Sequence, residues 1–175
     1  MLKAINEAVS FIKEKSELKP ETAIILGSGL GDIKNRIEDP VAIDYAHIPH
    51  FPVSTVEGHA GQLIIGHMGG TEVLMMAGRF HFYEGYTMEE LTFPIRVMKF
   101  MGIKTLIVSN AAGGMNPDFE IGDIMLITDH INTMPNPLLG KHYPEFGARF
   151  PDMSETYCPD LIRRFKEHAS RLEID

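Results

Sequence analysis

The stretch TAIILGSGLG, Thr22–Gly31, joins an apolar run to a glycine-rich loop. An unbroken apolar run is typical of a strand that is covered on both faces of a sheet. Glycines directly after a strand let backbone N–H groups approach an anion, and the start of a following helix favours negative charge. The stretch therefore predicts an α/β fold with either an anion-binding loop or a tight strand-to-helix turn at this point.

A second stretch, TLIVSNAAGG, Thr105–Gly114, repeats this design with an apolar strand that ends in small residues. In open α/β sheets, ligands bind outside the carboxyl ends of the strands. Two such endings are therefore expected to face one pocket. A close-packed crossover between sheet and helix is the alternative interpretation.

The rest of the chain alternates strand and helix patterns, which indicates an α/β protein with a mixed sheet. We expect a single domain over residues 1–175, and we expect His130–Arg149 to form a long, functional loop. Helices are predicted from Leu2 to before Pro20, over Thr87–Met101 and from Pro159; strands are predicted at Thr22–Leu26, Val41–Tyr45, Gln62–Ile65, Glu72–Ala77, Lys104–Ser109 and Asp123–Thr128.

Composition limits the classes of partner. The 175 residues carry a formal net charge of −8, which argues against a general nucleic-acid or anionic-membrane surface. The single Cys158 has no internal disulfide partner, and the N-terminal residues do not form a signal-peptide core. No apolar run reaches the roughly 20 residues of a membrane-spanning helix. These features predict a soluble, cytoplasmic protein.

The segment GRFHFYEGY, Gly78–Tyr86, supplies the side chains that the two loops lack. If it is extended, Arg79, His81 and Tyr83 share one face, while Phe80 and Phe82 point into the core. A guanidinium suits phosphate oxygens, and a histidine held by a partner such as Glu84 can donate a hydrogen bond. The alternative is an exposed edge strand with a surface ion pair.

Three further patterns each have a simpler interpretation. The loop after the first strand reads G-x-G-x-G instead of the dinucleotide motif G-x-G-x-x-G, although Asp44 imitates its ribose-binding acid. The pair His47 and His50 lacks an evident third metal ligand, so a metal site is not predicted. His59, between two glycines, is either a pocket-rim residue or a structural histidine.

Five ordered segments, GSGLG, GHAGQL, GRFHFYEGY, SNAAGGMNP and GARFPDMS, together resemble the trimeric class of purine nucleoside phosphorylases. The resemblance implies a central mixed, partly barrel-like β-sheet flanked by helices. It also implies phosphorolysis of purine (2′-deoxy)ribonucleosides to the free base and (2-deoxy)ribose 1-phosphate. Inorganic phosphate would be a co-substrate, no metal or organic cofactor is expected, and the expected assembly is a homotrimer.

The resemblance also assigns roles residue by residue. His81 and Glu84 would be catalytic, with Glu84 orienting His81. Phosphate would be bound by Ser28, Arg79, His81 and the backbone N–H of Ala111, and ribose by Tyr83 and by Phe150 from a neighbouring subunit.

In this family, the Glu and Asn that recognise the purine lie in a C-terminal portion that this sequence does not include. The domain and its sheet are therefore expected to be truncated at the C-terminus. The chain would be either a fragment of a phosphorylase or a short protein that binds anions without turnover. A methylthioadenosine phosphorylase, a non-catalytic phosphate- or nucleoside-binding module and a dinucleotide-dependent oxidoreductase are the competing hypotheses.

Overall fold

The computed structural model describes residues 1–53 and 61–174. The chain divides into two compact units, Met1–Ala111 and Ala112–Asp175, which are described separately. The prediction of a single domain over residues 1–175 stays a prediction.

The described residues of the first unit form two α-helices and one five-stranded sheet. Its elements are α1 (Leu2–Lys15), β1 (Thr22–Ile25), β2 (Glu38–Asp44), β3 (Gln62–Met68), β4 (Thr71–Ala77), α2 (Met88–Met101) and β5 (Thr105–Val108), with short 3₁₀ helices at Gly31–Arg36, Tyr45–His47 and Phe82–Glu84. Each strand predicted within this unit is present, within a few residues of its expected bounds.

The sheet is mixed, as predicted. Its strand order is β2-β3-β4-β1-β5, in which β1 runs parallel to both β4 and β5, while β3 is antiparallel to β2 and β4. The tight β3–β4 connection uses Gly69 and Gly70 at φ values of 57° and 76°, a conformation that glycine adopts without steric cost. Because β4, β1 and β5 are parallel neighbours, their carboxyl ends lie at one edge of the sheet.

The two helices of this unit contact each other. The apolar positions of α1 recur at helical spacing, and Ile5, Ala8, Val9 and Ile12 are buried. The start of α2 is fixed by the predicted capping box, in which the Glu90 N–H donates to Thr87 Oγ1 and Glu90 Oε2 accepts from the Thr87 N–H. Gly102 ends α2 in the left-handed conformation, with φ at 103°.

The second unit contains α3 (Pro159–Arg171), which confirms the predicted last helix, and a 3₁₀ turn at Pro144–Phe146. The predicted strand at Asp123–Thr128 is wrong. The Asp123 N–H closes a turn on the carbonyl of Glu120 instead of joining a sheet, and Ile124 and Met125 are exposed. An apolar run becomes a strand only where a neighbouring strand satisfies its backbone groups.

Candidate functional site

The carboxyl ends of β1, β4 and β5 bring three of the predicted phosphate ligands to one edge of the sheet. Ser28 follows β1, Arg79 follows β4 and Ala111 follows β5. The three strands are adjacent and in parallel register, with Ile25 beside both Met76 and Val108. Neighbouring strands lie roughly 4.8 Å apart, so the three loops start within reach of one small anion.

The loop after β1 is held against the end of β5. A side-chain carbon at Gly27 would lie 2.5 Å from the carbonyl oxygen of Ser109 and 2.7 Å from the Cα of Asn110. Only glycine fits this approach, and the next glycine, Gly29, has φ at 85°. Ser28 is exposed between these two glycines.

The Arg79 guanidinium crosses from β4 to β5. Its Nη1 donates to the carbonyl oxygen of Ser109 at 2.9 Å, and the side chain is half-buried. A guanidinium has five N–H donors, and the hydrogen bond to Ser109 uses one of them. The remaining donors leave Arg79 able to hold oxygens of an oxyanion such as phosphate.

The prediction that GRFHFYEGY stays extended is wrong beyond His81. Residues Phe82–Glu84 form a 3₁₀ turn, which Gly85 ends at φ 92° and in which Glu84 Oε1 accepts from the backbone N–H of His81 at 2.8 Å. The turn breaks the alternation of faces. Phe80 is buried as expected, whereas Phe82 is 44% exposed and does not enter the core.

The turn nevertheless brings His81 and Tyr83 together. Their rings are stacked, with centroids 4.8 Å apart and planes inclined by 15°. The Tyr83 side chain is exposed, so one side of this pair faces solvent. The hydrogen bond from the His81 N–H to Glu84 Oε1 fixes the backbone of His81 at the start of the turn.

A buried tyrosine supports the Arg79 loop and has no counterpart among the predicted site residues. Tyr45 directly follows β2, is 2% exposed and donates its hydroxyl to the carbonyl oxygen of Gly78 at 2.8 Å. Its ring packs against those of Phe51 and Phe80. Burial raises the pKa of Tyr45, so the hydroxyl stays a neutral donor.

His59 is outside the described residues. Phe150 lies in the second unit and is 86% exposed.

The histidine pair of the H-x-x-H pattern contacts two different carboxylates. His47 Nδ1 lies 3.9 Å from Asp44 Oδ2, and His50 Nε2 lies 2.5 Å from Glu7 Oε2. Within the part of the chain that the structure describes, no group of three or more His, Cys, Asp or Glu side chains is placed to hold a metal ion.

The sheet order removes the dinucleotide hypothesis based on Asp44. Strand β2, which carries Asp44, is separated from β1 by β3 and β4. The acid of a dinucleotide site stands on the strand beside the glycine loop, whereas three strand spacings place Asp44 roughly 14 Å from β1.

The strand topology and the loop ends at one sheet edge define an α/β protein with a mixed sheet. Residues 21–175 match the family model of the phosphorylase superfamily. The chain belongs to this superfamily.

Similar proteins agree with that assignment. The chain is 56% identical over 171 residues to purine nucleoside phosphorylase 1 of Bacillus subtilis, with 97% of this chain and 63% of that protein covered. It is 48% identical over 168 residues to the purine nucleoside phosphorylase of Bos taurus, with 94% and 57% covered. The resemblance to purine nucleoside phosphorylases is thereby confirmed, and the chain spans less than two thirds of each relative.

A solved structure gives the same result for the fold. Isoform 2 of the Schistosoma mansoni purine nucleoside phosphorylase, in complex with cytosine and ribose-1-phosphate, matches with a TM-score of 0.92 and 41% identity. The match covers 98% of this chain and 62% of that chain. The predicted fold class, a mixed sheet with flanking helices, is confirmed. No helix among the described residues has the length and apolar content to cross a membrane.

Proposed function

We propose that the protein formed by this chain is a purine nucleoside phosphorylase. It would split purine (2′-deoxy)ribonucleosides with inorganic phosphate, giving the free base and (2-deoxy)ribose 1-phosphate. The observation that carries the proposal is that Ser28, Arg79 and Ala111 follow three adjacent parallel strands at one edge of the sheet. The similarity to purine nucleoside phosphorylases supports the same reaction.

In this proposal, the three strand ends hold the phosphate. Ser28 contributes its hydroxyl and backbone N–H, Ala111 contributes a backbone N–H, and Arg79 contributes guanidinium donors. The loops that carry these donors start from strands of the sheet, and the Ser109 carbonyl holds the Arg79 guanidinium, so little reorganisation is needed when the anion binds. His81, placed next to the Arg79 loop, holds a further phosphate oxygen.

The held phosphate then serves both as nucleophile and as electrostatic partner of the sugar. Cleavage of the glycosidic bond develops positive charge at the anomeric carbon, and a fixed dianion beneath it lowers the energy of that transition state. Tyr83 contacts the ribose from its stack on His81, and Glu84 keeps His81 in place through the 3₁₀ turn.

We further propose that the active assembly is a homotrimer in the cytoplasm. Phe150 would complete the ribose pocket of a neighbouring subunit, a role that suits its high exposure. The lone Cys158 is compatible with a reducing compartment.

The test is phosphate-dependent release of hypoxanthine from inosine, with guanosine as a second substrate. We expect release with phosphate and none when phosphate is replaced by chloride at equal ionic strength. Binding of phosphate and inosine without release would instead identify a non-catalytic binding module. Equal release with and without phosphate would identify a hydrolase.

A further inference from the structure

Ser109 is the residue at which the ends of β1, β4 and β5 are joined. Its N–H donates to the carbonyl oxygen of Ile25 at 3.0 Å, and its hydroxyl donates to the same oxygen at 3.2 Å. Its hydroxyl also accepts from the Gly27 N–H at 2.9 Å. Its carbonyl oxygen accepts from Arg79 Nη1 at 2.9 Å.

This pattern departs from a regular parallel ladder at one bond. With Ile25 beside Val108, a regular ladder has Ser109 donate to Ile25 and accept, through its carbonyl, from Gly27. Here the Ser109 hydroxyl accepts from Gly27 instead. Serine hydroxyls compete in this way with backbone acceptors.

The exchange frees the Ser109 carbonyl for Arg79. If the hydroxyl were absent, the buried Gly27 N–H would need another acceptor. The Ser109 carbonyl oxygen is close to Gly27, since it lies 2.5 Å from the position that a Cβ of residue 27 would take. Gly27 and Arg79 would then share the two lone pairs of one oxygen. The Arg79 guanidinium would have to shift to make room for the Gly27 N–H, and its direction would change.

We propose that Ser109 is a positioning residue for phosphate, acting through Arg79 and without touching the substrate. The proposal rests on the proposed function for the identity of the anion. Its mechanism is the diversion of one ladder hydrogen bond from a carbonyl to a side-chain hydroxyl.

The experiment is calorimetry with inorganic phosphate on the wild-type chain and on Ser109→Ala, Ser109→Thr and Thr105→Ala. We expect Ser109→Ala to weaken phosphate binding about tenfold, which corresponds to about 1.4 kcal/mol. Ser109→Thr keeps a hydroxyl on the same carbon, so the hydrogen bond is retained and the variant should bind within about threefold of wild type. Thr105→Ala, at the opposite end of β5, should leave binding unchanged.

A double-mutant cycle separates positioning from a general structural role. If Ser109 acts through Arg79, adding Ser109→Ala to Arg79→Ala should weaken phosphate binding no further. Additive losses, or unchanged binding in Ser109→Ala, would overturn the proposal. If Ser109→Ala does not fold, Ser109→Cys replaces it, since a thiol of similar size is a weak acceptor.

The outcomes also separate this proposal from the proposed function. If the wild-type chain binds phosphate but shows no phosphorolysis, the proposed function is contradicted. The double-mutant cycle still decides the role of Ser109 in that case. Wild-type chain that does not bind phosphate overturns both. If the wild-type protein turns over nucleoside and its Ser109→Ala variant binds phosphate as tightly as wild type, only the positioning role of Ser109 is overturned.

Discussion

The two units of the chain differ most in where their apolar side chains lie. Every buried apolar residue among those described falls between Ile5 and Met98, in the first unit. In the second unit, large apolar side chains such as Met115, Ile121, Ile131 and Phe150 are almost fully exposed. The first unit therefore has a core of its own, whereas the described residues of the second show none.

This difference explains where a site with fixed geometry can form. The loops that carry Ser28, Arg79 and Ala111 start from strands packed in the sheet of the first unit, so the backbone holds their donors in place. Phe150 has no comparable anchoring contact among the described residues of its unit. A ribose contact from Phe150 would depend on the assembly, whereas the phosphate contacts would not.

The largest effect should come from truncating the core. Leu74 in β4 has no exposed surface, whereas Leu139 in the second unit is 78% exposed. Leu74→Ala should lower the free energy of unfolding by about 2–5 kcal/mol, and Leu139→Ala should change it by less than about 0.5 kcal/mol. Urea denaturation followed by circular dichroism measures both. Equal losses would remove the contrast between the units.

Removal of the Arg79 guanidinium should have the next largest effect. Hydrogen bonds to charged groups contribute about 1.5–3 kcal/mol, so Arg79→Ala should weaken phosphate binding roughly 10- to 100-fold. Arg164→Ala, on the exposed surface of α3, is the matched control and should have no effect. His81→Ala should give a smaller loss than Arg79→Ala. Calorimetry with phosphate tests the order, and a loss in the Arg164 variant comparable to that of Arg79→Ala would contradict it.

A third comparison uses two glycines. A Cβ added at Gly27 would lie 2.5 Å from the backbone carbonyl oxygen of Ser109, just after β5. At Gly114 in the second unit, the nearest atom to an added Cβ is 3.2 Å away and belongs to the Phe119 side chain. Backbone cannot move aside, so Gly27→Ala should cost about 1–3 kcal/mol of stability and displace the phosphate loop. Gly114→Ala should be close to neutral. Thermal denaturation checks this, and a neutral Gly27→Ala would refute the close approach of β1 and β5.

The smallest effect concerns one hydroxyl. Tyr45→Phe deletes the bond to Gly78 and should cost about 1 kcal/mol, whereas Tyr143→Phe in the second unit should cost nothing measurable. Because burial raises the pKa of Tyr45, its contribution should hold at neutral pH and fade as the pH rises above about 10, the ordinary tyrosine pKa. Thermal denaturation from pH 7 to 11 would show this. A constant difference up to pH 11 would contradict the buried, neutral hydroxyl.

The sequence allowed the strands of the first unit to be predicted because their signal is local. Apolar runs such as Thr22–Leu26 are bounded by turn residues and pair with neighbouring strands of the sheet that they help to build. The run Asp123–Thr128 has the same local signal and forms no strand, because pairing depends on a partner that a short window does not contain. The extended strand predicted from the alternation around Phe82 is wrong because the 3₁₀ turn that ends at Gly85 determines the local conformation instead.

The site was predictable only in part. The glycine and small-residue endings and Arg79 stand out as residue types suited to an anion. Tyr45 and Ser109 do not, because their contributions are hydrogen bonds to Gly78 and Gly27, 33 and 82 positions away in the chain. Such pairings follow from strand order, which composition and periodicity do not encode.

In the proposed function, three parallel strand ends of the first unit form one phosphate site. Its most direct test is a phosphate titration followed by NMR of the backbone amides. We predict saturable shifts, with one common dissociation constant, at the amides of Ser28 and Ala111, and none along α3. Shifts absent from both amides, or following different dissociation constants at Ser28 and Ala111, would contradict a single site at the ends of these strands.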